Sequence, residues 1–175
     1  SIGKFLKTST ITVEKFTSYL EEANLIFFIK KFSYSFKEQE KSARKLYAID
    51  IGIANSIGFR FSANFGRLIE NLVGIELKKR QNLNPNLEIY YFHHNNKEVD
   101  FVIKEGLKVR ELIQCCWNIN EFDVKRRELK PLIDAIEKFD LKEGIVITDD
   151  YENQEKINGK IIKYIPLWKW LLNGG

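Results

Sequence analysis

The chain has 175 residues, of which 44% are apolar and 30% are charged. This composition excludes collagen-like, low-complexity and wholly disordered proteins, and it suffices for one compact core or a core with a small appendage. No apolar run reaches the roughly 18 residues that a bilayer span requires, so we expect a soluble protein without a membrane partner. The first residues include neither an initiator Met nor a signal-peptide pattern, and we expect the chain to begin within a longer protein.

The net charge of +4 is unevenly placed. Residues 1–60 carry ten Lys or Arg against six acids, whereas the remainder carries eighteen of each sign. This asymmetry favours an anionic partner such as DNA, and an ordinary solvated surface explains it equally. The adjacent Cys115 and Cys116 would point to opposite faces of a strand, which excludes a disulfide framework and indicates a cytoplasmic protein. No phosphate-cradling glycine motif and no zinc-ligand spacing occurs, so we expect no nucleotide to bind to this segment.

The first 40 residues predict a partial winged-helix-like module. Apolar residues recur at three- and four-residue steps from Thr10 to Asn24, which predicts an amphipathic helix with Thr10 as its N-cap. The aromatic-rich run from Leu25 to Phe36 is typical of strands in a hairpin. A packing or linker module is the alternative. In the winged-helix interpretation, four polar side chains would face nucleic acid: Thr10, Thr12, Lys15 and Ser18.

Residues 37–45 contain no large apolar side chain and predict an exposed connection, so we place the domain boundary there. The second domain then covers residues 41–175. Its expected elements follow an α/β order of helix, three-strand meander, helix and strand. They are a strand at 46–49, a helical turn at 51–57, a helix at 63–80, strands at 87–93, 98–104 and 108–117, a helix at 123–139 with Pro131 inside it, strands at 144–148 and 160–165, and a helix at 168–172.

Three polar side chains interrupt apolar segments of this second domain. Glu70 lies four residues from both Gly66 and Gly74, on one line of the long helix, where the glycines permit close approach. Asp100 is flanked by Val and Phe in a strand, and such a carboxylate requires a cationic partner or a metal. Gln114 is the polar residue inside an otherwise apolar run of the next strand. Together they form a set of oxygen ligands suited to a hard divalent cation such as Mg²⁺.

Strand alternation assigns these residues to faces. It predicts one face for Val99, Phe101 and Ile103 and the opposite face for Glu98, Asp100 and Val102. In the next strand, the same rule groups Leu112, Gln114 and Cys116 apart from Glu111, Ile113 and Cys115. The alternatives are a buried ion pair of Asp100 and Glu70 with an Arg or Lys of a neighbouring helix, and a hydrogen-bonded core amide for Gln114.

The order of a helical Glu, an Asp and a later acid-x-Lys position resembles the PD-(D/E)xK nuclease superfamily. The sequences Gly66-Arg-Leu-Ile-Glu-Asn-Leu-Val-Gly-Ile-Glu-Leu-Lys, Glu98-Val-Asp-Phe-Val-Ile and Leu112-Ile-Gln-Cys-Cys resemble more narrowly the uncharacterised C-terminal domain of many archaeal and bacterial AAA+-type ATPases. Phe32-Ser-Tyr-Ser-Phe-Lys and Leu46-Tyr-Ala-Ile-Asp-Ile-Gly-Ile-Ala-Asn are similar to that family too. The resemblance implies a nuclease-like core and an upstream AAA+ ATPase domain as partner.

In active nucleases of this superfamily, the resemblance implies Mg²⁺ held by carboxylates at positions 100 and 114, assistance from position 70, and a Lys at 116 that orients the attacking water. Here Gln114 is neutral and Cys116 supplies no ammonium. Losing an electrostatic group of this kind costs about 3 to 4 kcal/mol of transition-state stabilisation. Substitute cations could come from the following helix, where the alternative is solvated charge: Lys125, Arg126 and Arg127.

Three functions follow from these residues. The first is a degenerate, nuclease-like module for nucleic-acid or partner recognition at the C-terminus of an AAA+-type ATPase, with Mg²⁺ weakly held or absent. The second is an active Mg²⁺-dependent DNA endonuclease that uses Glu70, Asp100 and a displaced cation. The third is a protein-interaction domain that binds no nucleic acid. The aromatic run 90–92 could stack on bases or pack in the core, and His93 and His94 are expected at an exposed rim.

Overall fold

The computed structural model describes residues 7–57, 65–95, 97–119 and 122–172, without the side chains of 54, 57 and 122–128. Six helices and eight strands lie in these ranges. The helices are α1 (Thr10–Glu22), α2 (Phe36–Lys41), α3 (Ile51–Ile57), α4 (Phe65–Leu83), α5 (Phe122–Lys138) and α6 (Leu167–Leu172). The strands are β1 (Ile26–Lys31), β2 (Lys45–Ala48), β3 (Leu87–His94), β4 (Lys97–Glu105), β5 (Lys108–Cys115), β6 (Glu143–Thr148), β7 (Asn153–Ile157) and β8 (Lys160–Pro166).

All eight strands form one mixed sheet in the order β2-β1-β3-β4-β5-β6-β8-β7. The meander β3–β4–β5 is antiparallel, and β6 joins β5 in parallel after the crossover through α5. A mixed α/β fold is therefore confirmed, and so is the order of helix, three-strand meander, helix and strand. None of the helices in the described ranges is both long and apolar enough to cross a lipid bilayer.

Both faces of the sheet are buried under helices. The α5-face cluster contains side chains of α5 and of the sheet: Phe32, Phe92, Val99, Val102, Leu112, Cys116, Ile119, Leu129, Leu132, Ala135, Ile136, Val146, Ile162 and Tyr164. The α4-face cluster joins α4 and α6 to the other face: Phe27, Ile29, Tyr47, Ile69, Val73, Leu77, Ile89, Tyr91, Phe101, Ile103, Ile113, Ile147 and Trp170. Three layers of helix, sheet and helix result.

The amino-terminal segment differs from its predicted outline. The run from Leu25 to Phe36 forms strand β1 and the start of α2 instead of a hairpin, and α2 continues into the predicted exposed connection. Strand β1 pairs antiparallel with β2 and parallel with β3, because its alternating buried residues can pack under α4. The hairpin predicted for the winged-helix-like module is therefore corrected within the described part of residues 1–40. The division into domains 1–40 and 41–175 stays a prediction.

Two local features escaped the sequence patterns. The N-cap of α1 is Ser9 and not Thr10, since the Ser9 hydroxyl accepts a hydrogen bond from the Thr12 amide. Strand β7 (Asn153–Ile157) was not predicted, because its sequence Asn-Gln-Glu-Lys-Ile is polar and its burial pattern is almost wholly exposed. It pairs with β8 and forms one edge of the sheet, where polar strands are common.

A β-bulge changes the predicted faces of β4. Phe92 pairs with Val99 and Tyr90 with Val102, so Asp100 and Phe101 together lie opposite Tyr91. As a result Val99 and Val102 both reach the α5-face cluster, whereas Phe101 reaches the α4-face cluster. The predicted grouping of Val99 with Phe101, and of Asp100 with Val102, was wrong because simple alternation ignores the extra residue.

Candidate functional site

Lys45 lies at the centre of three carboxylates. Its Nζ is 2.8 Å from Glu70 Oε1, 2.7 Å from Glu98 Oε1 and 3.0 Å from Asp100 Oδ1. These four residues form what we call the Lys45 cluster. The three acids come from α4 and β4, whereas Lys45 is the first residue of β2. The structure therefore unites side chains that are up to 55 positions apart in the sequence.

Strand β2 and helix α4 hold one side of the Lys45 cluster. Tyr47 lies two residues after Lys45, on the same face of β2, and its hydroxyl donates a hydrogen bond of 2.7 Å to Glu70 Oε1. A Cβ added to Gly74, one helical turn after Glu70, would lie 3.2 Å from the Tyr47 ring. Gly74 thus lets the Tyr47 ring approach α4 closely, and among the described residues nothing lies within 4 Å of a Cβ added to Gly66.

Asp100 is the most buried acid of the cluster, with 7% of its surface exposed. Besides Lys45, its carboxylate accepts a hydrogen bond of 2.9 Å from the Cys115 amide. Burial raises the pKa of Asp100 to about 7, and the Glu70 charge adds to this rise against the opposing effect of Lys45. Near neutral pH, Asp100 therefore exchanges between its charged and neutral forms.

The neighbouring groups keep their protons. Burial alone would lower the pKa of Lys45, but Asp100 and Glu70 raise it above its ordinary value, so the ammonium is retained. Burial and the Glu70 carboxylate raise the pKa of Tyr47, which stays a hydrogen-bond donor. Burial and the Asp100 carboxylate raise the pKa of the Cys115 thiol, so it does not supply a reactive thiolate.

Gln114 does not join the carboxylates as predicted. Its side-chain oxygen accepts a hydrogen bond of 3.3 Å from the backbone amide of Asp100, in agreement with the alternative of a core amide. Alternation along β5 places it with Leu112 and Cys116, which belong to the α5-face cluster. Cys116 is buried, and its thiol lies 3.6 Å from the carbonyl of Asn118. The structure thus brings Glu70 and Asp100 together but places Gln114 on the opposite face.

The contacts around Lys45 are those of an ion pair. Distances of 2.7 to 3.0 Å to Nζ are ordinary for charge-assisted hydrogen bonds, whereas Mg²⁺ ligands lie about 2.0 to 2.1 Å from the ion. Within the residues that the structure describes, no group of three or more His, Cys, Asp or Glu side chains could hold a metal ion. The buried ion pair considered from the sequence is therefore present, with a lysine from a strand instead of a helix.

The predicted nucleic-acid contacts lie elsewhere. Thr12 contributes to the start of α1, where its hydroxyl lies 2.8 Å from that of Ser9. Lys15 is exposed on the same helix, 6.0 Å from the ring of Tyr19. The side chains of Lys125, Arg126 and Arg127 lie outside the described residues.

Sequence patterns did not identify Lys45, Tyr47 and Glu98 as site residues. One signal was available for Glu98, because it lies two residues before Asp100 and alternation assigns both to one face. For Lys45 no local signal exists: it ends a charged segment and resembles any exposed lysine there. Its role depends on how β2 joins the sheet.

Comparisons with known proteins match this chain to two family models and to relatives that are described as uncharacterized. A family model described as a domain of unknown function, DUF4143, matches residues 65–170, and a second, DUF8612, matches residues 1–64. The uncharacterized protein MJ1544 of Methanocaldococcus jannaschii is 39% identical over an alignment of 172 residues that covers 95% of this chain. An uncharacterized protein of Haemophilus influenzae is 26% identical over 161 residues, or 92% of this chain. The chain spans 37% of the length of each relative, and no solved structure matches it.

Proposed function

Because the chain belongs to the DUF4143 family, a domain found at the C-termini of AAA-type ATPase proteins in general, we propose that it is a noncatalytic, nuclease-like recognition module of such an ATPase. One observation carries the noncatalytic part of the proposal. The Lys45 ammonium occupies the point on which Glu70, Glu98 and Asp100 converge.

The Lys45 ammonium neutralises part of the carboxylate charge, which a bound metal ion would otherwise do. Three carboxylates close together repel one another, and the cluster persists only if a cation reduces their charge. Lys45 supplies one positive charge from within the chain, and the raised pKa of Asp100 reduces the negative charge that this carboxyl carries near neutral pH. A hard divalent ion would have to displace the ammonium before it reached the same oxygens. Its affinity for this site should be correspondingly low.

Two further differences from the pattern of active nucleases support the same proposal. Gln114 brings no charge and lies on the face of the α5-face cluster, and Cys116 is a buried thiol where active nucleases would have a lysine. Neither residue carries the charge with which the acid and the lysine of an active nuclease hold a metal ion and stabilise negative charge that develops on a phosphate. The Lys45 cluster then serves to join β2, α4 and β4.

Cleavage of DNA tests the noncatalytic part. We expect no cleavage of plasmid DNA above background with Mg²⁺ or Mn²⁺, for the wild type and for Asp100→Asn alike. Asp150→Asn, in a loop after β6, is the matched control for the removal of one carboxylate. Cleavage by the wild type that Asp100→Asn abolishes and Asp150→Asn preserves would overturn the proposal.

The ATPase part needs a longer protein. We expect the full-length Methanocaldococcus relative to hydrolyse ATP and this chain alone to hydrolyse none. The chain accounts for 37% of that relative, so the activity would reside in the remaining part. A full-length relative that neither binds nor hydrolyses ATP would contradict this part of the proposal.

The second candidate function is an active Mg²⁺-dependent nuclease with a displaced lysine. It is favoured by the position of Lys45, whose ammonium lies 3.0 Å from Asp100 although it comes from β2 and not from position 116, which follows β5. In this case Lys45→Met and Asp100→Asn, each as a single substitution, would abolish DNA cleavage. The same plasmid assay therefore separates the two functions.

A further inference from the structure

A second polar concavity lies outside the Lys45 cluster. It is a cleft of about 420 Å³, where the loop between β1 and α2 meets the ends of β3 and α5. This volume is within the range of small-ligand sites. Six of its lining residues have basic or aromatic side chains: Lys31, Tyr34, Phe92, His93, His94 and Lys138.

The charge of the cleft favours an anion. Two lysines and one acid line the cleft, and because Lys31 is paired with the acid, Glu38, at 3.0 Å, Lys138 supplies the net positive charge. His93 and His94 are exposed at its edge, and their ring nitrogens can donate hydrogen bonds. A phosphate group would find donors on more than one side of the cleft, since Lys138 comes from α5 and the histidines from β3.

The cleft also presents aromatic faces. The Phe92 and His94 rings are stacked, with centroids 6.2 Å apart and planes at 21°, and Lys138 Nζ lies 4.7 Å from the Phe92 centroid. Tyr34 is 80% exposed, although its ring meets the buried Phe32 edge-on at 5.1 Å. An aromatic ring that packs against the protein on one side and is exposed to solvent on the other can stack on a planar ligand.

We propose that this cleft binds a nucleotide unit, with the base stacked on Tyr34 or His94 and the phosphate held by Lys138, Lys31 and the histidines. The unit belongs either to a free nucleotide or to single-stranded nucleic acid, since both present the same base and phosphate. The inference goes beyond the proposed function, because the cleft shares no residue with the Lys45 cluster.

The position of the cleft suits a single strand of nucleic acid that runs along the protein surface. His93 is the register partner of Glu98, so the cleft and the Lys45 cluster lie at the same end of β3 and β4. A smaller cavity of about 70 Å³ shares Phe92, His94 and Lys138 with the cleft and adds the ion pair of Lys97 with Asp134 to its lining. An acidic peptide would satisfy the lysines but would leave the exposed ring of Tyr34 without a planar partner.

Fluorescence anisotropy of a labelled oligothymidylate, titrated with the whole chain at low salt, tests the inference. We expect binding that weakens as salt rises, because phosphate contacts release counterions. Unlabelled thymidine monophosphate identifies the source of the ligand. Competition near the oligonucleotide Kd indicates a free nucleotide, and the absence of competition indicates a strand. Both results support the inference.

Matched variants assign the binding to the cleft. Tyr34→Leu should weaken binding about tenfold, and Tyr34→Phe, which keeps the ring, should restore it, because stacking of one base contributes about 1 to 3 kcal/mol. Lys138→Ala should weaken binding and reduce the salt slope by about 0.7, the value expected for one phosphate contact to a single strand. Lys156→Ala, an exposed lysine on β7, is the matched control and should change neither quantity.

Several results would overturn the inference. They are the absence of oligonucleotide binding at low salt, equal effects of Lys138→Ala and Lys156→Ala, and binding that Tyr34→Leu leaves unchanged while polyglutamate displaces the oligonucleotide. The last result would show that the cleft responds to charge alone. None of them alters the expected lack of DNA cleavage, so a failure here is distinguishable from a failure of the proposed function.

Discussion

Beneath α5, the sheet is closed by aliphatic and aromatic side chains such as Leu132 and Ile136, whereas beneath α4 the apolar cluster is bordered by the Lys45 cluster. Both faces exclude water from large side chains. They differ in what a substitution leaves behind, because an apolar truncation leaves a cavity and a truncated ion pair leaves an uncompensated charge. The two faces should therefore respond differently to truncation and to pH.

The largest effect is expected on the α5 face. Leu132 is fully buried, and Leu132→Ala should lower the free energy of unfolding by about 3 to 4 kcal/mol through the lost apolar contacts and the residual cavity. Urea denaturation measures this loss, and it should be the same at about pH 5 and about pH 8 because no titratable group is removed. A strong pH dependence of the loss would contradict the assignment of this face as apolar.

Removal of the cluster lysine should come next. Lys45→Met leaves three acids without their shared cation, and we expect a loss of about 2 to 3 kcal/mol. The value lies at the lower end for buried pairs, since Glu98 remains 43% exposed and water screens it. The exposed pair of Lys169 with Glu152 is the control, and Lys169→Met should cost less than about 1 kcal/mol. Equal losses for the two lysines would show that Lys45 does not hold the cluster together.

Asp100 should give a smaller effect that depends on pH. Its pKa is raised to about 7 from an ordinary 3.8, so the folded state binds the proton more tightly than the unfolded chain. The stability that this group contributes is fully present below the unfolded value and is lost as pH rises through about 7. Stability should therefore fall between about pH 5 and about pH 8, and Asp100→Asn should reduce that fall. An identical pH profile for wild type and variant would refute the assignment.

The two glycines of α4 provide the finest comparison. Among the described residues nothing lies within 4 Å of a Cβ added to Gly66, so Gly66→Ala should stabilise the helix by about 0.5 kcal/mol. A Cβ at Gly74 would meet the rings of Tyr47 at 3.2 Å and Phe27 at 3.5 Å, and the stacked, buried ring pair has little room to move. Gly74→Ala should give no such stabilisation, or should lower the free energy of unfolding by up to about 1 kcal/mol. Thermal unfolding of the two variants compares them directly.

Much of the fold could be predicted from local patterns. The long helix around Ile69 and Val73 has a helical apolar period, and the three strands that follow it alternate or are continuously apolar between turn residues. Gly106, with φ of +60°, marks the turn between β4 and β5. These signals lie within one element or between neighbours, so the meander and the flanking helices followed from them.

The features that could not be predicted depend on distant pairings. Strand β1 looked like part of a hairpin until its parallel pairing with β3 showed otherwise, and Lys45 reaches Asp100 only because β2 follows β1 into the sheet. The bulge opposite Tyr91 changed the expected faces of β4. It could not be predicted, because no residue of that strand marks an insertion. Glu70 and Asp100 were expected in one pocket and a basic partner from a neighbouring helix was considered for them, but the sequence did not identify Lys45 of β2 as that partner.

Manganese binding tests the central claim most directly, because the claim is that Lys45 takes the place of a metal among the carboxylates. Titration of the wild type with Mn²⁺, followed by the electron paramagnetic resonance signal of the free ion, should leave that signal unchanged by the protein. Binding of one Mn²⁺ per chain by the wild type, lost in Asp100→Asn, would contradict the claim.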